Sequence, residues 1–151
     1  MPAHPSLGLT LAFASHFLLD ALPHWDYPIR SSSINPSVAA RMKYDGALIA
    51  DLFTIGGDAA VGIALAVILF SAQTPTSYLL ALGGACAGML PDALQFAYMR
   101  FPRQPLTSLQ RFHEWIHTTR RMSKQPVLGI TSQIAFIIAF IFAVQPLLAA
   151  Q

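Results

Sequence analysis

The chain has 151 residues, one cysteine, 54% hydrophobic residues and 11% charged residues, with a mean hydropathy of +0.52. A soluble domain typically carries about 25% charged residues. This composition therefore excludes a disordered chain, a coiled coil, a disulfide scaffold and most soluble enzymes, and it predicts a single membrane domain.

Four apolar stretches are candidates for membrane spans, because a spanning helix needs about 20 apolar residues. They cover residues 6–23, 45–70, 78–99 and 127–148. The first is the shortest, and a re-entrant or tilted segment is the alternative for it. Residues 106–122 predict an amphipathic helix in the membrane interface, since Leu109, Phe112 and Ile116 form an apolar stripe. The predicted fold class is all-α, an integral membrane bundle of about four transmembrane helices plus this interfacial helix.

The basic residues lie in two windows of the sequence. These windows are Arg30, Arg41 and Lys43, then Arg100, Arg103, Arg111, Arg120, Arg121 and Lys124. Loops on the cytoplasmic side of a membrane carry an excess of Lys and Arg. The charges therefore place loops 24–44 and 100–126 in the cytoplasm and both termini outside.

Ionisable side chains inside the predicted spans are the main functional signal, because each costs roughly 2.5–3.5 kcal/mol on insertion scales. Those inside the spans are His16, Asp20, Asp51, Asp58 and Asp92, and those just outside are His24, Asp26, His113, Glu114 and His117. Under the predicted topology nearly all of them lie near the cytoplasmic leaflet, with Asp58 at mid-membrane. Convergence from four segments indicates a shared polar site.

Histidine and carboxylate ligands together suit Zn²⁺, Mn²⁺ or Fe²⁺. A metal also explains how buried carboxylates stay ionised in spans that contain no Lys or Arg. The expected cofactor is therefore a divalent transition metal, Zn or Mn. The alternative is a structural network of His and Asp side chains.

Residues 113–117 (HEWIH) match the H-E-x-x-H pattern, in which two histidines bind zinc and the glutamate acts as a general base. Residues 118–151 contain no His, Asp, Glu or Cys, so a third ligand has to come from upstream. Asp92 and the group on the first span are the candidates. The alternative for Glu114 is a solvated helix residue near Arg111 and Arg121.

Three short segments resemble a known family: residues 15–26 (SHFLLDALPHWD), 84–92 (GACAGMLPD) and 112–118 (FHEWIHT). They are similar to segments of the YdjM-like proteins, LexA-binding, inner-membrane-associated proteins of bacteria that are grouped as metal-dependent hydrolases. The resemblance implies a multi-pass protein of the bacterial inner membrane. The metal-ligand candidates that it implies are His16, Asp20, His24, Asp92, His113 and His117.

The predicted function is a membrane-bound metal-dependent hydrolase that acts on an ester or phosphoester of an amphiphilic substrate at the cytoplasmic leaflet. Asp26, Asp51 and Glu114 are candidates for the catalytic base or for carboxylates that support the ligands. Arg111, Arg120 and Arg121 could hold an anionic headgroup, and their alternative role is topology and contact with anionic lipid. Expected partners are the membrane, a lipid or amphiphilic substrate and further copies of the chain in a homo-oligomer; no nucleic acid is expected.

Two other functions fit the same residues. Asp58 and Asp51, with His16 and Asp20, could form a proton or metal-ion pathway. The chain could also be a non-catalytic accessory subunit of a larger membrane complex.

Overall fold

The computed structural model describes residues 5–26, 28–35, 38–42, 45–71, 74–117, 122 and 124–149. These residues form helices and one small hairpin. In chain order the elements are α1 (Pro5–Asp20), β1 (Ser32–Asn35), β2 (Val38–Met42), α2 (Gly46–Phe70), α3 (Pro75–Arg100), α4 (Leu106–Ile116) and α5 (Pro126–Ala149). The predicted helical class is confirmed.

Three helices in the described part of the chain are long and apolar enough to cross a membrane, namely α2, α3 and the first 18 residues of α5. Their large apolar side chains are mostly exposed, as in helices that face lipid. The protein is therefore a membrane protein. Helix α1 has 16 residues. At 1.5 Å per residue it is about 24 Å long, too short to cross a hydrocarbon core of about 30 Å as a straight helix.

Local signals explain where the two central helices begin. The Asp45 side chain accepts a hydrogen bond of 2.9 Å from the Ala47 amide and caps α2. Thr74 and Ser77 form a reciprocal capping box around Pro75, which begins α3. Each arrangement satisfies amide groups that lack partners in the first helical turn. The short loop between α2 and α3 lets these helices pack against each other.

Helices α1 and α3 pack in parallel at close range. A Cβ atom on Gly83 would lie 3.3 Å from Leu9 Cδ2, and one on Gly88 would lie 3.6 Å from the Ala12 carbonyl oxygen. The contact positions advance together along both helices, so the two helices run in the same direction. The sequence places a small-residue surface at positions 84 and 88, and Gly88 does face the neighbouring backbone, whereas Gly84 faces open space.

Replacing Gly88 by leucine is expected to lower the free energy of unfolding by about 1–3 kcal/mol, because the larger side chain meets the α1 backbone. Gly84→Leu is the matched control, and it should leave stability nearly unchanged. Thermal unfolding of both variants in the same detergent measures the difference. Equal stability of the two variants would contradict the observed packing.

The hairpin between α1 and α2 was not predicted. Strands β1 and β2 pair antiparallel, with Ser32 opposite Met42 and Ser33 opposite Arg41, and β2 contacts α3. The sequence signal was the Asn35-Pro36 dipeptide, which is typical of turns. Strand β2 and helix α4 therefore both contact α3.

Helix α4 turns its polar residues inward. Gln110 and His113 are buried, whereas Phe112 is exposed and Trp115 is 79% exposed. Outward aromatic side chains are typical of the membrane interface, where an amphipathic ring meets the headgroup level. The helix ends at Ile116, and His117 already has extended backbone geometry. The predicted helix to residue 122 is therefore too long at its C-terminal end.

Candidate metal centre

Seven ionisable side chains meet at one end of the bundle, and we call them the His/Asp cluster. They come from α1, the turn after it, α3, α4 and the residue that caps α4: His16, Asp20, His24, Asp26, Asp92, His113 and His117. Six of them are the ligand candidates of the sequence analysis, and Asp26 is one of its base candidates. The parallel packing of α1 and α3 brings Asp92 to the level of His16.

Asp20 is the most connected member of the cluster. His113 Nε2 donates to Asp20 Oδ2 at 2.6 Å, and His16 Nε2 lies 3.1 Å from the same oxygen. The rings of His16 and His113 have centroids 5.2 Å apart. His16, Asp20 and His113 form one group that could hold a metal ion, with ligand atoms all within 4.8 Å of one another. Asp92 stands at its edge, with Oδ1 3.5 Å from His16 Nε2.

A second group uses Asp20 again. Asp20, His24 and His117 also bring their ligand atoms within 4.8 Å of one another and could hold a metal ion. The rings of His24 and His117 have centroids 5.0 Å apart. Asp26 lies beside both rings, with Oδ1 3.1 Å from His24 Nε2 and Oδ2 3.7 Å from His117 Nε2.

Two observations show that these residues fit a metal. His24 Nδ1 donates to the Leu22 carbonyl at 2.8 Å, which leaves Nε2 to face the cluster. Metal-binding histidines usually donate their second ring nitrogen to a backbone carbonyl or carboxylate in this way. In addition, His16 Nε2 is buried and has no hydrogen-bond partner within the described part of the chain, although Asp20 is close. A buried ring nitrogen that faces two carboxylate oxygens, at 3.1 Å and 3.5 Å, offers a set of nitrogen and oxygen ligands that suits a divalent cation.

The turn that carries His24 and Asp26 is held by Met122 and by helix α5. The Met122 amide donates to the His24 carbonyl at 3.1 Å, and Gln133 Nε2 donates to the Trp25 carbonyl at 3.3 Å. A Cβ atom on Gly129 would lie 2.5 Å from Trp25 Cβ, so only glycine fits there. The sequence analysis missed these residues. The sequence feature that could have indicated them is a glycine and a glutamine in an otherwise apolar stretch.

Phe17 closes the apolar side of the cluster. Its buried ring makes edge contacts with His16, His113 and Phe112 at centroid distances of 5.0–5.5 Å. Phe13 adds a further edge contact at 5.5 Å. This aromatic layer covers one side of the two imidazoles, whose side chains are 12% exposed for His16 and 6% exposed for His113, and burial strengthens electrostatic interactions.

The hydrogen bond with Asp26 raises the pKa of His24 to about 9, against the opposing effect of burial. His24 is therefore protonated at pH 7 in the metal-free protein, and a metal binds only the neutral ring. We expect metal binding at pH 7 to release protons and to strengthen as the pH rises towards that pKa. Calorimetry in two buffers with different ionisation enthalpies measures the release. Asp26→Asn should reduce it, and a heat independent of the buffer would contradict this assignment.

Asp51, a predicted base, does not join the cluster. Its Oδ2 accepts a 2.7 Å hydrogen bond from the buried Ser31 amide, and it belongs to neither metal-binding group among the described residues. The reason is the position of Asp51. Helix α2 packs beside α3, and Asp51 lies next to the segment that precedes β1. We assign Asp51 the structural role of holding this loop.

Asp51→Ala is expected to reduce the free energy of unfolding by roughly 1–3 kcal/mol, since the buried Ser31 amide would lose its acceptor. Metal content should not change. The matched control is Asp58→Ala, which removes an exposed carboxylate from the same helix. Thermal unfolding and elemental analysis of both variants provide the readouts. Loss of metal from the Asp51→Ala variant would show that Asp51 belongs to the metal site.

The other predicted residues lie outside the cluster or outside the described chain. Glu114 is exposed, because it projects from a different face of α4 than His113. Its Oε1 accepts a hydrogen bond from Gln110 Nε2 at 3.1 Å. The predicted role of Glu114 as a zinc-protease base is therefore not supported by its position. Arg111 is exposed on α4. Arg120 and Arg121 lie outside the described residues.

Comparison of the chain with protein-family models, with curated proteins and with solved structures finds no match.

Proposed function

We propose that the chain is a membrane-bound metal-dependent hydrolase whose ion is held by His16, Asp20 and His113. One observation carries the proposal: the ligand atoms of His16, Asp20 and His113 lie within 4.8 Å of one another, with Asp20 Oδ2 3.1 Å from His16 Nε2 and 2.6 Å from His113 Nε2. Zinc or manganese suits this donor set of nitrogen and carboxylate oxygen. A divalent ion would supply a nucleophile at neutral pH and would polarise the scissile group.

The chain's own residues provide the rest of the chemistry. Asp92 stands at the edge of the first group, and its side chain is 58% exposed. It can therefore meet a substrate from outside and accept a proton during hydrolysis. On another side of the group the buried Phe17 ring contacts Phe112, with ring centroids 5.0 Å apart.

The surroundings support an amphiphilic substrate. Trp115 and Phe112 project from α4 at the interface, and Arg111 is exposed on the same helix. Asp92 is eight residues before Arg100, which places it about 12 Å deeper along α3. We infer an ester or phosphoester near the headgroup level of the cytoplasmic leaflet, with Arg111, Arg120 and Arg121 as headgroup contacts. This reading agrees with the resemblance to the YdjM-like proteins and with a bacterial inner membrane.

Metal analysis combined with a hydrolysis assay tests the proposal. The detergent-purified protein should contain stoichiometric transition metal and should hydrolyse at least one member of a panel of short-chain esters and lipid phosphoesters. His113→Ala should lose both properties. Asp58→Asn, which removes an exposed carboxylate on α2, and Glu114→Gln should retain both.

Two results would reject the hydrolase proposal. One is the absence of bound metal after reconstitution with Zn²⁺ and with Mn²⁺. The other is metal-loaded protein that is inactive on the whole panel yet conducts ions in liposomes, with Asp58→Asn abolishing the flux.

A further inference from the structure

We propose that the outward face of α4, together with the loop that precedes it, binds anionic phospholipid of the membrane leaflet that surrounds this helix. The surface consists of Arg103, Arg111, Phe112 and Trp115, and we call it the α4 lipid surface. It extends the headgroup contact inferred for Arg111 to a whole surface. The inference goes beyond the proposed hydrolase function, because it requires neither bound metal nor hydrolysis.

The two sides of α4 differ in exposure and in chemistry. Gln110 and His113 are each 5% exposed and face the bundle, whereas Phe112 is 43% exposed and Trp115 is 79% exposed. Arg111 is also exposed, and it lies one helical turn before Trp115, so the two side chains share a face. The outward face therefore combines a cation with large aromatic rings. This is the composition of a helix that lies in a membrane interface.

The packing of α4 sets the depth of this surface in the membrane. His16 faces Asp92 across the parallel pair of α1 and α3, with 3.5 Å between His16 Nε2 and Asp92 Oδ1. Asp20 lies one turn beyond His16, and His113 contacts it at 2.6 Å. Helix α4 therefore meets α1 about 6 Å deeper than Arg100, the last residue of α3. Interfacial helices lie about 5–10 Å into the boundary between headgroups and acyl chains, so this depth suits the proposed surface.

The charge of the surface favours an anionic lipid over a neutral one. Arg103 and Arg111 are exposed, and neither forms an ion pair within the described part of the chain. Glu114, the acidic residue of α4, accepts its hydrogen bond from Gln110 at 3.1 Å. Each arginine near an anionic membrane surface favours binding by about fivefold. Phosphate groups are also the anions that the guanidinium fork binds best.

The loop before α4 places Arg103 at the end of the helix that is nearer to the headgroups. The Arg103 carbonyl accepts a hydrogen bond of 3.1 Å from the Thr107 amide, so this arginine directly precedes the first turn of α4. Phe101, which is 56% exposed, stacks against the Arg100 guanidinium at 4.8 Å. Cations and aromatic rings thus continue from the end of α3 onto α4. A membrane surface can contact both segments together.

Quenching of tryptophan fluorescence by brominated lipids tests the inference. The full chain is reconstituted in mixed vesicles of phosphatidylglycerol and phosphatidylcholine. Two preparations have the same composition, but the bromine is on the acyl chains of the anionic lipid in one and of the neutral lipid in the other. Bromine quenches only at close range, so the comparison measures which lipid lies beside Trp115. Trp115→Phe in the same vesicles gives the emission of Trp25, which is subtracted.

The brominated anionic lipid should quench Trp115 by more than its mole fraction predicts. Arg103→Gln and Arg111→Gln should each lower this preference by up to about fivefold, and the double variant should abolish it. Arg30→Gln is the matched control, because it removes an exposed arginine from the segment before β1, and it should keep the preference. Circular dichroism spectra identical to that of the wild type show that each variant is folded.

Three results would overturn the inference. Quenching by both lipids in proportion to their mole fractions would show that the surface does not select charge. A preference that survives in the double variant would show that Arg103 and Arg111 are not its source. Absence of quenching by either lipid would place Trp115 outside the bilayer and would favour a protein partner for this face. The hydrolase proposal is tested separately, by metal content and activity.

Discussion

Replacing Asp20 by asparagine is expected to abolish metal binding and hydrolysis together. Asp20 belongs to both metal-binding groups, and its Oδ2 contacts His113 at 2.6 Å and His16 at 3.1 Å. Asparagine preserves the size of the side chain but removes the charge and one acceptor oxygen. Loss of a residue that merely supports a ligand typically costs about 10–100-fold in metal affinity. We therefore expect a loss of more than about 100-fold for Asp20→Asn.

The matched control for this variant is Asp92→Asn. Asp92 is exposed and lies at the edge of one group only, so its loss should weaken metal binding by about 10-fold at most. Competition with a chromophoric chelator measures both affinities. Equal losses in the two variants would show that Asp20 has no special position in the centre.

Replacing Gly129 by leucine should disrupt the centre from a residue that binds no metal. Its Cβ would lie 2.5 Å from Trp25 Cβ and 3.2 Å from the Trp25 Cα, so the turn with His24 and Asp26 has to move away from α5. We expect about 1–3 kcal/mol of destabilisation from overpacking. The displaced turn should also weaken metal affinity by roughly 10–100-fold.

Gly57→Leu is the control for Gly129→Leu, because a Cβ there meets nothing within 4 Å. It should leave metal affinity unchanged. A Trp115→Phe background makes Trp25 the remaining tryptophan, so its emission maximum reports the movement of the turn. A Gly129 variant with full metal affinity and an unshifted Trp25 spectrum would show that α5 does not position the second group.

Much of the cluster was predictable because burying charge in lipid is costly. Asp20, Asp92 and His16 stand out in apolar stretches, and the two basic windows predict that their segments lie at one membrane face. Because His16 and Asp20 are one helical turn apart, their side chains are expected on the same face of α1. These are local signals, and they were sufficient for the six ligand candidates.

Other positions could not be predicted from the sequence, because they depend on which helix face packs against which neighbour. Asp51 satisfies the same depth argument as Asp92, yet it binds the Ser31 amide because its helix packs beside α3. Glu114 is adjacent to His113 in sequence but lies on another side of α4. Gly129 and Gln133 stand out in an apolar stretch, but the sequence does not reveal that both contact Trp25. The hairpin depends on the pairing of β1 with β2, which the sequence of this short polar segment does not predict.

The distance along the chain between Asp20 and its partner His113, 93 residues, has a consequence for synthesis. The first helix emerges from the ribosome with its imidazole and carboxylate, and α3 later brings Asp92 beside them. At that stage the nascent chain still has no three-residue ligand group of those found in the folded protein. Each group needs a histidine of α4 or of its cap, so neither group that could hold a metal ion is complete until this part of the chain has been made.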